Sequence, residues 1–140
     1  SNYKWDYSIA IKDDINTKLI RIPPLLLQPF VENAIIHGIK NKIEGRGVIT
    51  ISIQKNQDEI LEIGIDDNGI GRNESTIRGN KKPFKKKSLG IKFTMDRILN
   101  LNDKDSEKYY VEIIDNFDNG EPSGTTIQLF LPYKLLREAP

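Results

Sequence analysis

The chain contains no cysteine. Disulfide stapling, thiolate catalysis and cysteine-ligated zinc are thereby excluded, and the composition agrees with a reducing compartment. Its one histidine is too few for a transition-metal site, which draws mainly on imidazole and thiolate ligands. No apolar run approaches the roughly 20 residues that cross a bilayer, and no basic-then-apolar leader is visible, so this segment is expected to be cytoplasmic. A phosphate cradle of the Gly-x-x-x-x-Gly-Lys-Ser/Thr kind is also missing: Gly64 and Gly69 have its glycine spacing, but Ile70-Gly71 follows in place of Lys-Ser. Aromatics make up only 8% of the residues, and Phe84 stands alone among the lysines of the most basic stretch. Sequence-tolerant single-strand binders interleave aromatics with basic residues, so no nucleic-acid partner is expected.

With 140 residues, 37% hydrophobic and 29% charged, the chain can bury one sheet-and-helix core but not two. A single domain over residues 1–140 is expected. The net charge of +1 hides an asymmetry: from Arg72 to Lys87 seven Lys or Arg face one Glu, a local +6. Such a loop is compatible with a polyphosphate, a nucleic acid, a membrane surface or plain solvation. Its place directly after Gly69-x-Gly71 favours phosphate.

Tyr3 to Lys12 alternates as a strand, with Tyr7, Ile9 and Ile11 on one face. Pro23-Pro24 then leads into Leu25 through Ile39, where Leu26, Phe30, Asn33, Ile36 and His37 recur at helical spacing. Val48 to Ile53 and Ile60 to Ile65, joined by a polar turn at Lys55 to Glu59, predict a β-hairpin whose second strand runs into Asp66-Asp67-Asn68-Gly69. Adjacent on that strand, Asp66 and Asp67 point to opposite faces, which denies them a paired acid/base role. Residues 72–87 show no apolar period and read as a long loop, a kind that in compact domains is usually functional or disordered. Ser88 opens a helix to about Leu101 with Ile91, Met95, Ile98 and Leu99 inward. Tyr109 to Ile114 and Thr126 to Leu131 are expected strands, connected as a long hairpin by the polar stretch Asp115 to Ser123. These elements predict an α+β two-layer sandwich with helices on one face of a mixed sheet.

Two stretches carry the chemistry: Gln28-Pro29-Phe30-Val31-Glu32-Asn33-Ala34, a Glu-Asn pair on an apolar helix, and Asp66-Asp67-Asn68-Gly69-Ile70-Gly71, a carboxylate at the mouth of a tight turn. Asn33-Ala34 with His37-Gly38 resembles the N box of the GHKL ATP-binding domains, and Asp67-x-Gly69-x-Gly71 looks like their first glycine box. Ser88-Leu89-Gly90-Ile91 with Arg97-Ile98-Leu99 is similar to the second, and Gly124-Thr125-Thr126 before Leu131-Pro132 to the last. The wording LLLQPFVENAIIHG resembles the LytS-like sensor histidine kinases in particular.

The resemblance implies a GHKL (Bergerat-type) fold with an ATP lid at about 72–87, and ATP and Mg²⁺ as cofactors. Asp67, an acceptor only when ionised, suits the exocyclic amine of adenine and repels the guanine carbonyl; the bland alternative is an Asp-Asn-Gly turn without a ligand. Asn33 is implied as the Mg²⁺ ligand, a neutral oxygen beside a hydrated cation that keeps most of its waters. Glu32 is implied as a catalytic neighbour that orients a water or the cation, against a solvated helix Glu. His37, matching an N-box position, stands as a phosphate contact, a packed core histidine or a phosphoacceptor. Ile36 occupies a position where many histidine kinases have Lys, which turns attention to Lys40 and lid lysines such as Lys87 for the phosphate charge. Gly69, Gly71, Ser88 and Gly90 are implied around the phosphates, where backbone amides at a helix start favour anions. Thr125 is implied to support adenine through water, against an ordinary strand Thr.

Pro29 replaces the Glu or Asn that many GHKL members hold four residues before Asn33, which favours phosphotransfer to a protein over steady ATP hydrolysis. Ser88 and Phe93 stand where Gly and Asn are usual. The implied function is therefore the catalytic domain of a two-component sensor histidine kinase. It passes the γ-phosphate of Mg-ATP to a histidine on a dimerisation helix outside this chain, within a homodimeric parent anchored in the inner membrane that signals to a response regulator. The alternatives are a degenerate nucleotide-binding scaffold and a GHKL serine kinase of the anti-sigma type.

Overall fold

Isoleucines at every second position build the centre of the molecule. In the computed structural model, which describes residues 5–11, 20–39, 46–70 and 88–136, β1 (Trp5–Ile11), β2 (Gly47–Lys55), β3 (Ile60–Asp67), β4 (Tyr110–Asp118) and β5 (Glu121–Pro132) form one sheet. The strand order is β1-β2-β3-β5-β4. β1 runs parallel to β2 and the other pairs are antiparallel, so the sheet is mixed, as the sequence predicts.

Register places Ile51, Ile65 and Ile127 in one cross-strand row and Ile53, Ile63 and Leu129 in the next. Because strand side chains alternate, all of these share one face. Ile63 and Leu129 are fully buried there. The helical layer lies over it: α1 (Pro24–Asn33) contributes Leu26 and Phe30, and α2 (Ser88–Leu99) contributes Ile91 and Ile98 to the same cluster. A short α3 (Tyr133–Leu136) follows β5. The other face carries Thr50, Asp66 and Thr126 in one row, and Asn116 Nδ2 donates to Asp66 at 3.2 Å and to Thr126 at 2.8 Å. Apolar on one face and polar on the other, the sheet makes the expected two-layer α+β sandwich. The expected lid at 72–87 lies outside the described residues.

Three local expectations are corrected. The helix that begins at Pro24 does not remain α to Ile39, since Ala34–Ile39 winds as a π-helix. Ala34 and Ile39 are both buried in the core; five residues apart, they would diverge on an α-helix, whereas the i→i+5 turn brings them to one side. Gly47 makes room, because a Cβ there would overlap the Ile39 side chain. Leu99 is exposed, not inward; the buried positions of α2 are Ile91, Thr94 and Ile98, with Met95 packed beside them, and residue 99 lies about 100° from 98 around the helix. Finally, the hairpin expected over Asp115 to Ser123 is present, but the strands run further into it than Ile114 and Thr126. Pairing continues to Asp118 opposite Glu121, and the turn is only Asn119-Gly120 at φ 52° and 82°, the two left-handed residues of a tight I′ hairpin. Phe117 faces Pro122 while Asn116 faces Gly124, so Ser123 is the extra residue of a β-bulge.

Candidate functional site

The apolar rows of the inner face end in a polar one. Asp67 is the last residue of β3, and its partners are Ile49 on β2 and Thr125 on β5. Asp67 and Thr125 are 6% and 7% exposed, so a carboxylate and a hydroxyl sit side by side in the position that Ile65 and Ile127 hold one row below and Ile63 and Leu129 two rows below. Burying a carboxylate without hydrogen bonds is costly. Here Oδ1 accepts the Gly69 N–H at 2.9 Å, the Asx geometry that bends the chain back over its own side chain. Asp66, one residue earlier, lies on the exposed face, as strand alternation requires.

Two neighbours that carry no role in the sequence reading hold this turn. Asn68 Oδ1 accepts the Val48 N–H at 2.7 Å, its Nδ2 donates to the Arg46 carbonyl at 3.0 Å, and its own N–H donates to the Val48 carbonyl at 3.2 Å. Gly124 lies against the backbone of Asp67 and Asn68 at φ +123°, and a Cβ there would overlap the Asp67 carbonyl. The motif letters mark both residues, but the contacts themselves link segments far apart in the chain.

On the helical layer Asn33 closes α1, is buried, and its Oδ1 has no hydrogen-bond partner among the described residues. A buried acceptor left unsatisfied costs about 1–3 kcal/mol and asks for an explanation such as an ion or ligand. Glu32 is exposed and accepts a hydrogen bond from Gln28 Nε2 at 2.8 Å along the helix. Gly90, in the first turn of α2, is exposed, and a Cβ built on it would sit 3.9 Å from Pro29 Cβ, one helical turn before Asn33. Ordinary packing therefore leaves space for a side chain at 90. The structure thus groups Asp67, Gly69 and Thr125 at the end of the sheet, and sets the start of α2 beside the turn of α1 that leads to Asn33. Ser88 opens α2 and His37 lies on the π-helix, but their side chains are outside the description, as are Lys40, Gly71 and Lys87.

No family model matches the chain. It is 34% identical over 121 residues to the sensor protein LytS of Oceanobacillus iheyensis, covering 82% of this chain and 19% of that protein. To LytS of Streptococcus mutans it is 31% identical over 132 residues, covering 94% and 21%. The chain is a GHKL domain of the LytS-like histidine kinase family. It spans about a fifth of the length of these curated relatives. The histidine kinase domain from a blue-light activated kinase of Erythrobacter litoralis matches it in fold, with TM-score 0.59 at 14% identity over 95% of this chain and 54% of that one. The LytS-like relatives are sensor proteins, and the domain shares the α+β sandwich of histidine kinase domains.

Proposed function

We propose that the chain is the ATP-binding catalytic domain of a two-component sensor histidine kinase, which binds Mg-ATP and presents its γ-phosphate to a histidine on a dimerisation helix outside this chain. The observation that carries this reading is the buried, in-register Asp67–Thr125 pair at the end of the sheet's inner face, beyond its rows of isoleucine and leucine. A charged acceptor and a hydroxyl held side by side and buried are suited to an adenine edge, the carboxylate by accepting from the exocyclic amine and Thr125 by supporting it through water. Guanine would oppose its carbonyl to the same carboxylate. A site that requires one such hydrogen bond rejects the wrong partner by up to about 10⁴-fold.

The residues present fit a magnesium ion, because Asn33 Oδ1, buried and without a partner among the described residues, is the kind of neutral oxygen that Mg²⁺ takes alongside waters and phosphates. When bound, the ion neutralises phosphate charge. Asn33 would hold it, and Glu32, on the solvent side, would orient water near it. The amides of the first turn of α2, around Ser88 and Gly90, would receive the phosphates at a helix start, and Gly69 and Gly71, without side chains, would let the phosphates approach the backbone. His37, Lys40 and Lys87 would supply contact and charge to the phosphates. Phosphoryl transfer depends mainly on positioning and neutralisation, and every residue named here is a ligand and none a nucleophile. The isolated domain is expected to bind ATP and phosphorylate nothing.

The parent is proposed to be a homodimer anchored in the inner membrane that passes phosphate on to a response regulator. Among the described residues no helix is long and apolar enough to cross a membrane. Calorimetric titration with ATP and GTP, with and without Mg²⁺, tests the nucleotide reading. Adenine-selective, Mg²⁺-assisted binding that Asp67→Asn loses is expected; no binding at millimolar ATP would overturn it. For transfer, an acid-labile, base-stable phosphate on the full-length parent is expected, and an acid-stable one would point to a serine kinase.

A further inference from the structure

Asn68 has a role in the structure that the nucleotide reading leaves unassigned. Past Asp67 opposite Ile49, the antiparallel ladder would next pair residue 68 with Val48. A strand residue in a hydrogen-bonded pair gives its partner one N–H and one carbonyl. Asn68 gives its N–H to the Val48 carbonyl, but meets the Val48 N–H with its side-chain Oδ1 at 2.7 Å instead of its own carbonyl. The ladder is thereby extended one residue beyond the strand while the main chain is released to turn toward Gly69. The remaining half of the amide, Nδ2, reaches the Arg46 carbonyl, and the Arg46 guanidinium lies 3.3 Å from Asp6 on β1.

We infer that Asn68 is the positioning residue for base selectivity: by standing in for a strand carbonyl it fixes the Asp67 carboxylate at the end of β3, so that amine and carbonyl edges of a purine are told apart. The inference rests on the adenine reading of Asp67 and adds the residue on which its discrimination depends. The physical need is plain. Asp67 is the terminal ladder residue of β3, where strands fray, and a group that separates a donor from an acceptor has to be held to within about 0.5 Å. Gly124 sets one limit by abutting the Asp67 carbonyl, and Asn68 sets the other by tying the next residue to β2. On the opposite face, Asn116 makes two comparable hydrogen bonds, to Asp66 and Thr126, but these brace Asp66 and leave the Gly-x-Gly turn untouched.

The test is the ratio of ATP to GTP affinity, measured by calorimetry well below each protein's unfolding midpoint, for wild type, Asn68→Ala, Asn68→Asp and Asn116→Ala. Asn68→Ala is expected to lower the ratio about tenfold, the order of one lost hydrogen bond. Asn68→Asp keeps the acceptor for the Val48 N–H and is expected to hold the ratio within about threefold, since its added charge acts on both nucleotides alike. Asn116→Ala is expected to lower stability and leave the ratio unchanged. A wild-type ratio in Asn68→Ala, with only the unfolding midpoint reduced, would overturn the inference and leave the nucleotide reading standing. A wild type that binds neither nucleotide would overturn that reading and this inference with it. Amide exchange at Val48 in the wild type gives a second measure that survives a misfolded variant. By reciprocity of coupling, ATP is expected to slow this amide's exchange more than GTP does at equal saturation, and equal slowing would count against Asn68.

Discussion

Two glycines of β5 and its hairpin share a positive φ yet should respond very differently to alanine. Gly120 lies at φ +82° in the turn, and a Cβ there meets nothing within 4 Å. Gly120→Ala is therefore charged only for placing an L-residue in left-handed space, about 1–2 kcal/mol. Gly124 lies at φ +123°, where the atoms nearest an added Cβ are the Asp67 carbonyl oxygen and carbon and the Asn68 Cα. All three are backbone, so no rotamer change relieves the overlap, and β5 must move off β3. Unfavourable φ at about 1–3 kcal/mol and overpacking at about 1–3 kcal/mol sum to roughly 2–6 kcal/mol, a large part of a domain's typical 5–15 kcal/mol. Equilibrium urea unfolding followed by circular dichroism measures both variants on one scale. Because the displaced atoms carry Asp67 and face Thr125, Gly124→Ala is also expected to weaken ATP binding at temperatures where it is fully folded, and Gly120→Ala is not. Equal stability losses within about 0.5 kcal/mol, or a folded Gly124→Ala with unaltered ATP affinity, would refute the close-contact argument.

Asn33→Ala removes a buried acceptor that has no partner among the described residues, so stability is expected to stay level or rise by up to about 1 kcal/mol while Mg²⁺-dependent ATP binding is lost; a stability loss above about 2 kcal/mol with binding intact would mark Asn33 as structural. Gly90→Ala is expected to stabilise α2 by up to about 1 kcal/mol, the Gly-to-Ala difference in a helix, since Pro29 at 3.9 Å is no obstacle, yet to weaken ATP binding; urea unfolding and calorimetry on the same preparation separate the two effects. Leu129→Ala, at a fully buried position on β5, is expected to cost about 2–5 kcal/mol without changing the ATP-to-GTP ratio of the folded fraction, a control that ties selectivity to the Asp67 end of the sheet.

Alternation and helical spacing carried most of the architecture. The isoleucines of β2 and β3 mark a hairpin by period alone, and the same period assigns Asp66 and Asp67 to opposite faces before any partner is known. Pro23-Pro24 marks the start of α1, and Ile91, Met95 and Ile98 mark the inner stripe of α2. Where these signals failed, polarity or a local rule was outweighed by the sheet. Asp115 to Ser123 is polar because the end of the β4–β5 hairpin extends past the core, and ladder hydrogen bonds hold it as strand regardless. Thr94 is buried although the apolar spacing passes over it in favour of Leu99, because its hydroxyl returns to the Gly90 carbonyl at 2.9 Å and so enters the interior satisfied.

The sequence by itself determined the sandwich, the order of the motifs and the residue types that would meet a nucleotide, because each of these is written in spacing along a single element. Tertiary structure alone decided which groups stand together. It set Thr125 beside Asp67 across a ladder, turned the Asn68 amide onto Val48, placed Asp67 against a glycine that must have no side chain, left the Asn33 oxygen buried without a partner among the described residues, and wound residues 34–39 into a π-helix so that Ala34 and Ile39 could share the core. Those facts depend on register and packing between segments distant in the chain, for which local periodicity carries no information.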